Sequence, residues 1–204
     1  MKKALKKAYQ EGISYDAYKT LVNNLLAIGK STGQTQSDAL LNYSMLNHKR
    51  MKRLDKTIQL SEKTNSYTKA LKKSVTWLVL TEGWCGDAAQ VLPVINKITS
   101  LSDFIDLKII LRDEHEELMN KFLTNGSKSI PKLIAIDENK KVIYSWGPRP
   151  SIATKMAEDY KKEHGILDAV FKKELQLWYN RDKGTNIQED NIKLLQDESS
   201  LIFD

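Results

Sequence analysis

Residues 75–87 read Val75-Thr76-Trp77-Leu78-Val79-Leu80-Thr81-Glu82-Gly83-Trp84-Cys85-Gly86-Asp87. The first seven are β-branched, aromatic or apolar almost throughout, as a strand buried on both faces requires. A helical pattern over residues 88–100 follows, so Cys85 falls where a buried strand gives way to a helix. At a helix N-terminus, unpaired backbone N–H groups and the macrodipole favour a thiolate over a thiol. Pro93 lies eight residues beyond Cys85 and is expected to kink that helix.

Toward the C-terminus, residues 107–111 form a second apolar stretch of strand character. Asp113 and Glu116 resemble a capping box opening a helix that ends before Asn125-Gly126. Ile130-Pro131, a candidate cis peptide bond, precedes a third strand at 132–136. The polar turn Asp137-Glu138-Asn139-Lys140 has hairpin length, so a fourth strand at 141–146 is expected to run antiparallel to the third. Gly147-Pro148-Arg149-Pro150 stops it, and helices are predicted over 151–164 and 167–181. The second of these presents Val170, Phe171, Leu175 and Trp178 on one face, while the tail after Gly184 reads as a loosely packed helix that becomes apolar only at Leu201-Ile202-Phe203.

Ahead of the first strand, Tyr18, Leu21, Val22, Leu25 and Leu26 recur with helical period and predict an amphipathic helix over 15–28. Ser37 or Asp38 is positioned to cap a second helix reaching about residue 60, with Tyr43, Leu46, Met51, Leu54 and Ile58 as its apolar face. Lys49, Lys52, Arg53 and Lys56 form a basic stripe on the same helix, away from that face.

The chain has 204 residues, 41% of them hydrophobic, enough for one elaborated domain or two small ones. No apolar run reaches the roughly 20 residues of a membrane span, and the basic N-terminus leads into no signal-peptide core. A cytoplasmic location is therefore expected. The net charge of +6 is uneven: residues 1–73 carry 15 Lys/Arg against 5 Asp/Glu, and residues 74–204 carry 17 against 21. With Cys85 as its single cysteine, the chain forms no internal disulfide. His48, His115 and His164 lack ligand spacing and read as exposed polar residues, so no metal site and no cofactor are expected.

Trp84-Cys85-Gly86, Pro93 and Ile130-Pro131, at these spacings in a βαβα–ββα order, resemble the thioredoxin superfamily over residues 70–165. The whole chain resembles a bacterial thioredoxin family protein of single-cysteine type. The resemblance implies an α/β, thioredoxin-like fold: a central mixed four-stranded sheet flanked by helices. Residues 1–69 would then be an N-terminal helical extension packed on the core, and 166–204 a C-terminal helical extension. It also implies that Trp84 covers the site, that Gly86 and the Ile130-Pro131 backbone meet an extended substrate, and that Arg149 lies near the thiol. Two departures are notable. Asp87-Ala88 stands where thioredoxins have Pro-Cys, so the resolving cysteine is missing, and Val79 stands where they bury an aspartate, leaving Glu82 or Asp87 as substitutes.

At Cys85 the helix terminus lowers the thiol pKa and an inward Asp87 carboxylate raises it, whereas an outward Asp87 merely caps the helix. Two functions follow, the first the expected one and the second its alternative. One is monothiol thiol–disulfide exchange, with Cys85 and Asp87 catalytic, on a disulfide-containing protein or a low-molecular-weight thiol and with resolution by an external thiol. The other is a non-catalytic module that binds a protein or peptide. Iron–sulfur sharing is disfavoured because Cys85-Gly86-Asp87-Ala88 replaces the Cys-Gly-Phe-Ser of monothiol glutaredoxins. Nucleic-acid binding is disfavoured because no aromatic residues interleave the basic stripe.

Overall fold

The computed structural model describes residues 1–197. In chain order the elements are α1 (Lys2–Glu11), α2 (Tyr15–Ala27), α3 (Asp38–Thr57), α4 (Glu62–Lys69), β1 (Val75–Thr81), α5 (Gly86–Thr99), β2 (Ile105–Leu111), α6 (Glu116–Met119), β3 (Lys132–Ile136), β4 (Val142–Trp146), α7 (Ser151–His164), α8 (Ala169–Asp182) and α9 (Thr185–Asp197). The sheet order is β2-β1-β3-β4, with β1 and β2 parallel and the remaining pairs antiparallel. This is the mixed four-stranded sheet of a thioredoxin-like fold. Every residue of β1 is buried, as its unbroken apolar run requires, because helices cover both faces. Among the described residues, no helix is long and apolar enough to cross a membrane.

Helix α3 starts at its predicted cap, where Ser37 Oγ accepts the Leu40 N–H. Its buried face differs from the one predicted. Tyr43 and Leu46 are 50% and 44% exposed, and Ser44 and Asn47 are buried above Met51 and Leu54 instead. These polar residues go inside because they have partners there. Ser44 Oγ shares a hydrogen bond with Ser31 Oγ, and Asn47 Nδ2 donates to the Gly83 carbonyl at 3.0 Å. The Gly83 N–H donates to Thr32 Oγ1 at 2.7 Å. Both backbone groups of Gly83, in the turn leading to Cys85, are thus held by side chains from the N-terminal region.

Other expectations are corrected. Helix α1 was not predicted, since its buried Ala4, Leu5 and Ala8 make a narrow face in a lysine-rich run. Helix α6 is a single turn, because the Asp113 carboxylate pairs with Arg112 instead of capping. His115 is buried, not exposed. On α8 the inward face is Phe171, Leu175 and Tyr179, one residue round from the predicted face, which leaves Val170 exposed. Helix α9 packs tightly despite its polarity: Gln188 Nε2 donates to the Gly184 and Gln59 carbonyls, and Asn191 Nδ2 to that of Ile187. Leu201, Ile202 and Phe203 lie outside the described residues.

Helix α7 follows Pro150, which offers no side-chain cap. Its first N–H groups are satisfied from α9: Ser151 N–H donates to Asp190 Oδ2 at 2.7 Å and Ile152 N–H to Asn186 Oδ1 at 2.9 Å. Asp190 also accepts from Trp146 Nε1 at 3.1 Å, which fixes the end of β4.

Asn47→Ala leaves the buried Gly83 carbonyl unpaired and should cost about 1–3 kcal/mol, lowering Tm by about 2–4 °C per kcal/mol. Leu46→Ala, one residue away and exposed, should shift stability by no more than about 0.5 kcal/mol. Equal thermal shifts for the two variants would deny Asn47 this role.

Candidate functional site

Cys85 is itself the N-cap of α5, its Sγ accepting the Ala88 N–H at 3.4 Å. The thiol in turn donates to the Ile130 carbonyl at 3.2 Å. The Ile130–Pro131 peptide is cis, and so is Gly147–Pro148 beside it. These two turns are in close contact. A Cβ on Gly147, whose φ is +106°, would lie 2.3 Å from the Pro131 carbonyl oxygen, so only glycine fits there. Buried Lys132 fastens the same place, its Nζ donating to the Gly147 carbonyl at 3.1 Å and to Thr124 Oγ1.

Asp87 does not point outward as a cap. Its carboxylate turns into the protein, where Oδ2 pairs with Arg149 Nε at 2.9 Å and Oδ1 accepts the Tyr179 hydroxyl at 3.1 Å. Burial pushes the Asp87 pKa up, opposed first by Arg149 and then by Tyr179. Tyr179 was missed from sequence, although its place on the inward α8 face, four residues after Leu175, was the available signal.

The Cys85 side of this arrangement decides the chemistry. Cys85 is only 8% exposed. Burial, reinforced by the Asp87 charge, pushes its thiol pKa up to about 12, against the pull of the Ala88 and Asp87 N–H groups and Arg149. At neutral pH the group is a thiol, which is consistent with its donating to Ile130.

Val79, at the position of the missing aspartate, is a wholly buried strand residue. Glu82 is also buried, but its Oε1 accepts the Asp113 N–H at 3.0 Å and joins the ends of β1 and β2. Burial raises its pKa, with Thr32 and the Asp113 N–H pulling the other way and the Asp113 charge adding to the rise.

Trp84 lies beside Cys85, half-buried, with the Arg112 guanidinium 4.9 Å from its ring centroid. Gly86 sits between two helices: a Cβ there would be 3.5 Å from Gln176 Nε2 of α8 and 3.7 Å from Arg50 Nη1 of α3. Above Cys85, α3 and α8 enclose a cleft of about 640 Å³, lined also by Trp84, Gly86, Asp87 and Arg149. The predicted site residues Trp84, Cys85, Gly86, Asp87 and Arg149 therefore meet in one cleft, and Ile130 reaches it through its bond to the thiol. The basic stripe Lys49, Lys52, Arg53 and Lys56 is exposed, as expected, but none of the four lines the cleft. The α3 cation at the site is Arg50, outside that stripe.

The thioredoxin family model matches residues 33–161, reaching back through α3 and α4 as well as spanning the sheet. No curated protein matches. Among solved structures, the chain is similar to a crystal structure of an HIV epitope scaffold, with 14% identity, a TM-score of 0.62 and coverage of 94% of this chain and 97% of that one. It is also similar to a protein of unknown function from Pseudomonas aeruginosa, with 14% identity, a TM-score of 0.61 and coverage of 93% and 95%. At that identity the likeness concerns the fold.

Asp87→Asn keeps the Tyr179 partner but removes the charge that disfavours the thiolate. Its alkylation rate at pH 8 should rise, by about tenfold for each pH unit that the thiol pKa falls. An unchanged rate would separate Asp87 from the thiol. Because the folded pKa of Glu82 is raised, the carboxyl form is favoured and native stability falls as pH climbs past the ordinary glutamate value. Glu82→Gln should thus melt above the native protein at pH 8, with the gap closing by pH 4. A gap that widens on acidification would contradict this assignment.

Proposed function

Because the chain belongs to the thioredoxin family yet keeps its single cysteine as a buried thiol, we propose that its site works in recognition, as a thioredoxin-fold binding module. One observation carries this reading: the Cys85 thiol donates to the Ile130 carbonyl beside the Asp87 carboxylate, with its pKa pushed up to about 12. A resting nucleophile needs the opposite balance. The cleft between α3 and α8 supplies the binding volume, with Trp84 and Gly86 in its lining and the Ile130 carbonyl behind the Cys85 thiol. A lone cysteine without a disulfide partner suits a reducing compartment such as the cytoplasm.

A second reading, monothiol exchange, is favoured by the Ala88 and Asp87 N–H groups and Arg149, all of which draw the thiol toward its anion. In that route Cys85 Sγ attacks one sulfur of a disulfide substrate and gives up its proton to Asp87. The S–S bond breaks and the leaving thiolate recovers the proton. An external low-molecular-weight thiol then reduces the Cys85 adduct.

The pH dependence of iodoacetamide alkylation separates the two, since Cys85 is the only thiol. Recognition predicts slow labelling with no break below about pH 8.5, the value of an unperturbed thiol. A break below about pH 7 would establish an activated thiolate and transfer the assignment to exchange.

A further inference from the structure

The cleft above Cys85 has a chemistry of its own. Its volume, about 640 Å³, falls within the roughly 300–1,000 Å³ of small-molecule sites. Tyr43 of α3 and Leu177 of α8 stand at the rims, 50% and 47% exposed, and Phe171 and Leu175 line the wall between. The lining contains one acid, Asp87, and both of its oxygens are occupied by Arg149 and Tyr179. Arg50 is different: it is half-buried, and among the described residues it has no carboxylate partner. Its Nη1 donates to Asn47 Oδ1 at 3.0 Å, so the guanidinium is oriented against Gly86 by the same residue that holds Gly83. Burial lowers its pKa, as does Arg53, so it is a cation short of solvation. Lys172 adds a further positive charge to the lining, with no acidic partner among the described residues.

An apolar cleft with an oriented, uncompensated guanidinium suits a ligand with an apolar body and an anionic end. We propose that this cleft binds an amphipathic carboxylate of medium chain length, its head group on Arg50 and its chain against Tyr43, Phe171, Leu175 and Leu177. This rests on the recognition reading and specifies its ligand. A guanidinium paired with a carboxylate in a partly desolvated site makes charge-assisted bonds that an alcohol cannot match.

The probe is decanoate below its aggregation threshold, titrated against the full chain by Trp fluorescence and calorimetry, with decanol as the uncharged control. Decanoate should bind at least about tenfold tighter than decanol and slow the alkylation of Cys85. Arg50→Gln should cancel that preference, weakening decanoate by about tenfold while leaving decanol unchanged. Leu177→Glu, at an exposed position that the fold tolerates, should weaken both. Equal affinity for the two ligands, indifference to Arg50→Gln, or binding that leaves Cys85 alkylation unaffected would overturn the proposal. An acidic peptide that displaces decanoate, binds more tightly and loses that binding with Arg50→Gln would also overturn it and make the cleft a peptide site. The alkylation pH profile without ligand is independent of these arms: a break below about pH 7 sinks the recognition reading, whereas a high pKa with no decanoate binding overturns the ligand class alone.

Discussion

Gly83 is the point on which the site hangs. Its N–H and carbonyl lie in a buried turn between β1 and Cys85, where water is not on hand to satisfy them. Thr32 and Asn47 do so instead. The consequence extends in both directions. Outward, it ties α3 to the end of β1 and holds Asn47 in a position that an apolar residue ordinarily takes. Inward, it fixes the approach to Cys85 and, through Asn47 Oδ1, the aim of Arg50. Helices that look like an addition in sequence are thus part of the site's support, in keeping with a family match that starts at residue 33.

The state of the thiol follows from a competition of magnitudes. A helix terminus contributes about 0.3–1 kcal/mol to a charge, and up to ~2 when the geometry is partly buried. Full burial moves a pKa by as much as about 3–5 units in the opposite sense. At Cys85 burial comes first and the Asp87 charge second, and the amides and Arg149 do not recover the difference. Asp87 stays inside because Arg149 and Tyr179 compensate it. The ion pair with Arg149 joins α5 to the turn after β4, and the hydrogen bond from Tyr179 joins it to α8.

Much of the fold was legible because its signals are local. The apolar run of β1, the short strand β3 after Pro131 and the stretch of α7 all lie where sequence places them. The placement of Trp84, Cys85 and Gly86 at the strand-to-helix junction was legible for the same reason, whereas the inward turn of Asp87 onto Arg149 and Tyr179 depends on residues far along the chain. Burial of polar side chains was not legible, because it depends on partners distant in the chain. Yet a trace was present: stepping back seven residues from Met51 and Leu54 lands on Ser44 and Asn47, polar residues in a core register. Tyr43 and Leu46, hydrophobic but one residue out of that period, belong to the surface. Helix α9 reads as loose for a similar reason, since Gln188 and Asn191 are buried only by virtue of the carbonyls they meet.

The capping of α7 by Asp190 and Asn186 reverses the order in which the chain is made. Ordinarily a helix carries its own cap, available as soon as its first turn leaves the ribosome. Here Pro150 supplies none, and the acceptors for Ser151 and Ile152 arrive with α9, after all of α7 and α8 have been synthesised. The same Asp190 holds Trp146 at the end of β4. The sheet edge nearest the cis-proline turns is therefore completed only when the C-terminal helix docks, so translation has to pass Asp190 before this corner of the molecule can close.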